Sequence, residues 1–172
     1  MNELTPVDWA DEVDTDAVLA AARSMPMAPS PGQLDVLSGL RREVADRVDV
    51  ERALTAVTHD HPRALLAGAL PGPLVVLRWY APGEVSTVHH HAWTVIAGLH
   101  GSGELERWID GGAAGPTMRG TDVMAIGRTL AIADGELHRQ RSGEHGSFEL
   151  ILIGDYSDNR PTVDVLPALA IG

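Results

Sequence analysis

Beyond Pro71 the chain is interrupted by glycine at short intervals. Pro82-Gly83, Gly101-Ser102-Gly103, Asp110-Gly111-Gly112, Asp134-Gly135 and Ser142-Gly143 each separate runs too short for a helix. The runs are rich in Val, Ile, Leu, Trp and Thr, and they read as strands: Leu74–Tyr80, Ser86–His91, Thr94–Leu99, Glu104–Ile109, Asp122–Ile126, Leu130–Ala133, Leu137–Arg141 and Phe148–Ile153. Short strands at this density, with turns between them, predict a mainly β barrel or sandwich. The 18 glycines and 11 prolines among 172 residues favour that reading over a helix bundle.

The first sixty residues differ. Val7 to Met25 sets Asp8, Asp11, Glu12, Asp14 and Asp16 ahead of an alanine-rich apolar face, which suits a helix whose dipole favours acids in its first turns, capped by Thr5 or Asp8. Pro26, Pro29 and Pro31 make the next stretch a stiff connector. Leu34, Leu37, Leu40 and Val44 recur at helical spacing in Gln33–Arg47, and Val50–Val57 adds a shorter helical piece. The expectation is an N-terminal helical segment, residues 1–62, packed on a β body of residues 63–172, with the tail from Asn159 lying on its surface.

The length suits one domain with a core large enough to fold without disulfides. Its 24 acids against 13 basic residues, all arginine, leave a net charge of -11, which repels phosphate backbones and argues against nucleic-acid partners. The chain has no cysteine, which excludes thiol nucleophiles, Fe–S clusters and cysteine-type zinc sites. It has no lysine either, which excludes a lysine Schiff base. No run approaches the ~18 apolar residues of a membrane span, and no basic leader precedes an apolar stretch. The expectation is therefore a cytoplasmic protein without a membrane partner, with a homodimer left open.

Three of the eight histidines are consecutive: His89, His90 and His91. On a strand, His89 and His91 face one side and His90 the other, so the outer pair could flank one metal or simply be solvated on a polar edge. Upstream, Gly83-x5-His89-x-His91 matches the first half of the first cupin motif. His138 follows Asp134-Gly135, where the second motif places its lone histidine. Arg78-Trp-Tyr-Ala-Pro-Gly-Glu-Val-Ser-Thr-Val-His-His-His91 resembles the entry segment of the thiol dioxygenases, the family of cysteine dioxygenase, and the resemblance spans Arg63 to Tyr156.

That resemblance implies a cupin barrel (a double-stranded β-helix, jelly-roll-like) holding mononuclear Fe(II) through His89, His91 and His138. Ligand type alone leaves Zn, Ni and Cu open. The glutamate that cupins generally add would fall at Val95 or Ile96, neither of which can ligate, and its omission is a feature of the thiol dioxygenase branch. Glu104 is the runner-up carboxylate ligand. His100 and His145 read as surface residues, and His59 and His61 as part of a turn.

The resemblance also assigns Arg63, twenty-six residues before His89, to the substrate carboxylate. Arg78 competes for that role, since a guanidinium fork binds a carboxylate bidentately. Trp93 is a candidate pocket wall. The family's Ser, His, Tyr relay occupies alternate positions on the strand after the third ligand; here only Tyr156 reads as a member of it. The expected function is an iron-dependent dioxygenase taking a small thiol or related small organic acid and dioxygen. The alternatives are a metal-Lewis-acid lyase, isomerase or hydrolase on a small acid, and a non-catalytic small-molecule-binding cupin.

Overall fold

A computed structural model describes residues 4–57 and 62–154, so His59, His61, Tyr156 and the tail lie outside the described residues. The N-terminal part comprises β1 (Thr5–Pro6), α1 (Asp16–Arg23), α2 (Pro31–Ala45) and α3 (Val50–Thr55). The β body follows with β2 (Arg63–Gly68), β3 (Leu74–Tyr80), β4 (Thr94–Ile109), β5 (Thr117–Ala125), β6 (Thr129–Ile132) and β7 (His138–Ile153). The sheet runs β1-β2-β3-β7-β4-β5, with β6 on the free side of the first part of β4. Only β1 pairs in parallel, with β2; every other named ladder is antiparallel. This is the mainly β architecture that the glycine-punctuated runs predict, preceded by helices.

The helix predicted from Val7 begins only at Asp16. The chain ahead of it enters along the sheet, where Thr5 pairs with Ala64 and the Val7 N–H donates to the Leu65 carbonyl, then makes one 3-10 turn at Ala10–Glu12, with Trp9 and Val13 buried. Tertiary pairing overrides local propensity there, and Thr15 rather than Thr5 or Asp8 stands at the N-cap. α2 starts two residues before Gln33. Ser30 Oγ accepts from the Gln33 N–H while the Ser30 N–H donates to Gln33 Oε1, and Pro31 occupies the first turn.

Two expected turns are absent as turns. Thr94–Leu99 and Glu104–Ile109 form one strand through Gly101-Ser102-Gly103, and Leu137–Arg141 and Phe148–Ile153 form another through Ser142–Gly146. β4 pairs with β7 from Thr94 to Arg107, with register shifts at Gly98/His100 and at Gly101/Gly103, where residues 143–146 of β7 bulge out of the ladder. Gly101 and Gly146 both adopt positive φ, and a Cβ on Gly101 would strike the Gly146 carbonyl. The glycines therefore make bulges that bend a continuous ladder instead of ending it. At the bend the sheet folds over, so the first part of β7 faces its own second part across an interior space.

The period of two sorts the residues between two interiors. Val75 and Leu77 of β3, with Phe148, Leu150 and Leu152 of β7, share one cluster with Val18, Leu19, Leu34, Leu37, Val44 and Ala53 of the helices. The helices thus cover the outer face of the sheet. Arg41 of α2 is fully buried in that contact: Nη1 donates to the Leu150 carbonyl (2.6 Å) and Nη2 to Thr129 Oγ1 (3.3 Å). Burial pulls its pKa down to about 9 against the opposing field of Glu149, which leaves a cation at neutral pH. No described helix is long and apolar enough to cross a membrane.

Candidate metal centre

The alternate residues of the same strands face the interior. Leu74, Val76, Arg78 and Tyr80 of β3 and Ile151 and Ile153 of β7 line a cavity of about 480 Å³ together with His89, His91 and His138. The segment Ser86–His91 is not a continuous strand. Isolated bridges tie it to β7, from Val85 just before it to Arg141 and from His89 to His138, with one more residue on its own side than on the other. That extra residue is a local bulge. At the second bridge His89 and His138 exchange both backbone hydrogen bonds at 2.9 Å, which fixes two ligands-to-be directly opposite each other.

The donor atoms of His89, His91 and His138 lie within 4.8 Å of one another. The ring centroids are 5.4, 4.4 and 4.7 Å apart. Each Nδ1 lies against a backbone carbonyl: His89 on Thr87 (2.7 Å), His91 on Ala92 (2.6 Å) and His138 on Glu136 (2.8 Å). A carbonyl can only accept, so each Nδ1 carries the proton and each Nε2 keeps its lone pair. Burial lowers the pKa of His91 to about 4 and that of His138 to about 3, so both rings are neutral at neutral pH. Three imidazoles oriented in this way and this close fit a single transition-metal ion, whose bonds to nitrogen run about 2.0–2.1 Å. His90 neither lines the cavity nor joins the group.

No carboxylate joins the three histidines among the described residues. Glu104 is exposed on the folded-over part of β4, opposite Val123 and Arg141, and is removed as a ligand. Val95 is core, whereas Ile96 reaches the cavity. His100 and His145 are exposed.

Arg63 and Arg78 both line the cavity and stand directly opposite each other across the β2–β3 ladder. Arg78 Nη2 donates to Glu84 Oε1 (2.8 Å), and its guanidinium lies over the Tyr80 ring at 4.4 Å. Its Nε is buried without a partner among the described residues. Arg63 is exposed at the rim. Trp93 is not a pocket wall of this cavity. It is 3% exposed in the cluster shared with the helices, against Gly154, because its position in the alternation points it outward from the histidines.

Gln140 and Glu149 are the site residues that sequence reasoning missed. Gln140 lies two residues beyond His138 on the same face and lines the cavity. Its Nε2 donates across the fold of β7 to Glu149 Oε1, which also accepts from Ser147 Oγ (3.0 Å). Glu149 Oε2 is buried without a partner among the described residues. Burial raises the Glu149 carboxyl to about 7 against these hydrogen bonds and the charges of Arg78 and Arg41. Burial, reinforced by Glu149, also raises the Tyr80 hydroxyl above its ordinary range. Alternation from Ile151 would have put Glu149 on the cavity side, but the unexpected continuity of β7 hid the partner across the bend.

No protein-family model matches the chain, and no curated protein does. Solved structures are similar at a distance. KdgF from Halomonas sp. is 19% identical over 56% of this chain and 79% of that one, with a TM-score of 0.45. A Klebsiella pneumoniae protein with a double-stranded β-helix domain is 14% identical over 61% and 89%, with a TM-score of 0.47. An oxalate decarboxylase from Bacillus subtilis, in a variant with one tryptophan exchanged for tyrosine, is 18% identical over 58% of this chain, with a TM-score of 0.44; the match covers only 25% of that longer chain. The strand order and the three facing histidines stand independently of these likenesses.

Proposed function

We propose that this chain is a mononuclear metal enzyme of the cupin type, an Fe(II)-dependent dioxygenase that oxidises a small thiol or a related organic acid. The observation that carries the reading is a three-histidine set that no carboxylate joins among the described residues, beside two arginines, at one cavity. Neutral ligands leave a divalent ion its full charge, which favours an anionic substrate as a further ligand. When bound, Fe(II) would supply redox chemistry toward dioxygen; with a thiol, both oxygen atoms end in a sulfinic acid.

The protein's own part is placement and exclusion of water. Arg63 and Arg78 present guanidinium groups for an anionic head, and the Tyr80 ring and Glu84 hold the Arg78 fork in position. Gln140, tied to Glu149, offers an amide beside His138 to a polar group of the substrate. Ile96, Ile132, Ile151 and Ile153 keep the remaining wall dry. Ile151 and Ile153 occupy alternate cavity-facing positions on the strand after the third ligand, where the thiol dioxygenase resemblance leads one to expect polar relay groups. This favours an acid over cysteine itself.

The test is oxygen uptake by the iron-loaded protein with a panel of thiols and small acids, together with a substrate-dependent nitrosyl signal in electron paramagnetic resonance. If the zinc form turns over the same substrate without oxygen as fast as the iron form does in air, the reading passes to Lewis-acid lyase or hydrolase chemistry.

A further inference from the structure

The cavity wall is ordered in layers by the strand register. Arg63, Arg78, Glu149 and Gly98 are successive partners across β2, β3, β7 and β4. The next layer is Leu65, Val76, Ile151 and Ile96, and the layer beyond it holds Leu74, Ile153, Thr94 and Ile132. The charged groups of these strands are therefore confined to one end, and two layers follow that are hydrocarbon except for Thr94, whose hydroxyl lies against His91 (3.3 Å). Leu70, 48% exposed, extends that apolar surface to the rim. The two arginines are neighbours across an antiparallel ladder, a placement that like charges disfavour; Glu84 answers the charge of Arg78 (2.8 Å), whereas Arg63 has no ion pair among the described residues, which leaves a place for a further anion. A small hydrophilic acid would fill only a fraction of about 480 Å³ and leave the isoleucine layers facing water.

From this layering we infer that the substrate is an amphiphilic organic anion, with its acid group at Arg63 and Arg78 and a hydrocarbon body, larger than that of a small thiol acid, along the Val76, Ile151 and Leu65 layer. The inference deepens the proposed function and rests on its identification of the site. The acid end sets orientation through charge-assisted hydrogen bonds, and the hydrocarbon body supplies affinity through the area it removes from water.

The experiment is calorimetric titration of the full chain, zinc-loaded and metal-free, with straight-chain carboxylates from acetate to decanoate and with alkylammonium ions of matching length. Affinity is expected to rise roughly fourfold per added methylene until the cavity is filled. Arg63→Gln should weaken every carboxylate by a similar factor, roughly tenfold or more. Ile151→Thr, or Leu65→Thr if the first variant does not fold, should flatten the dependence on length. A flat series overturns the inference, as does equal binding of the ammonium ions or a length dependence untouched by both wall variants. Failure here is separable from failure of the dioxygenase reading. A flat series with brisk oxygen uptake on small thiols removes only the amphiphile, whereas a steep series with no oxygen uptake on any bound acid removes only the oxidation.

Discussion

Glu149 takes its properties from a conflict between burial and neighbours. In the unfolded chain its carboxyl ionises near the ordinary 4.5, whereas burial in the folded protein holds it to about 7. Between those values the folded form retains a proton that the unfolded form has lost, so this residue makes stability fall as pH rises from about 4.5 through 7. The effect is on the order of 3 kcal/mol. Replacing it with the neutral isostere isolates that effect: the difference in urea unfolding free energy between the wild type and Glu149→Gln should shrink or reverse in sign from about pH 5 to about pH 8, moving in favour of the variant. A constant difference would mean that the carboxyl is ionised throughout. The histidines give a second test at this scale. His89→Ala, His91→Ala and His138→Ala should each lose bound metal by elemental analysis, whereas His90→Ala should retain it, because His90 lies outside the cluster. Equal loss in His90→Ala would place the wrong imidazoles at the centre. Alternation alone separates His90 from its neighbours, so that part of the site was legible in the sequence; Glu149 was not, since its partner Gln140 meets it only after the sheet folds.

β3 was readable from end to end, Leu74–Tyr80 in both sequence and structure, because β-branched and aromatic residues fill it and Pro-Gly turns bound it. β2 was not, as Arg63–Gly68 carries two alanines and a glycine and owes its strand to pairing with β1 and β3. The long β4–β7 ladder escaped recognition for a physical reason: a positive-φ glycine that bulges a ladder looks like one that ends it. Its geometry makes a prediction. A methyl group at Gly101 would both oppose the positive φ and strike the Gly146 carbonyl. Gly101→Ala should thus cost more than the ~1 kcal/mol of ordinary glycine substitutions and weaken metal binding as well, since the bend aligns His138 with His89. Stability loss with metal affinity intact would show that the two parts of the ladder fold over without that bulge. Another element guards His138 from the side. Arg107 donates to Asp122 (2.6 Å) and Glu136 (2.5 Å), and the Glu136 carbonyl accepts from His138 Nδ1. Arg107→Met is expected to lower metal affinity roughly tenfold, measured by competition with a chelator, while the fold persists.

The helices and the sheet share one apolar cluster, with Leu37 fully buried between them. Leu37→Ala should therefore destabilise the whole chain by about 2–5 kcal/mol. Far-ultraviolet dichroism, which follows the helices, and tryptophan fluorescence in a Trp9→Phe background, which follows Trp79, Trp93 and Trp108 of the sheet side, should shift together. Two separated transitions would mean that the helices unfold on their own. The net charge of -11 belongs to the same scale, and Arg63 is an exposed cation on a chain of that sign. The orientation of the three imidazoles has a further consequence. Each ring is locked by a main-chain carbonyl no more than two residues away in sequence, and Thr94 Oγ1 adds a longer contact to His91 Nδ1 (3.3 Å). What residue 87 or 92 happens to be matters little to the lock, Glu136 adds a side-chain anchor to Arg107, and none of the three lines the cavity. Inheritance can then treat the metal seat and the cavity as separate parts. The isoleucines, Gln140 and the arginines can be exchanged over generations to suit new substrates while the seat stays in working order, so a lineage can change its diet without having to reinvent its catalyst.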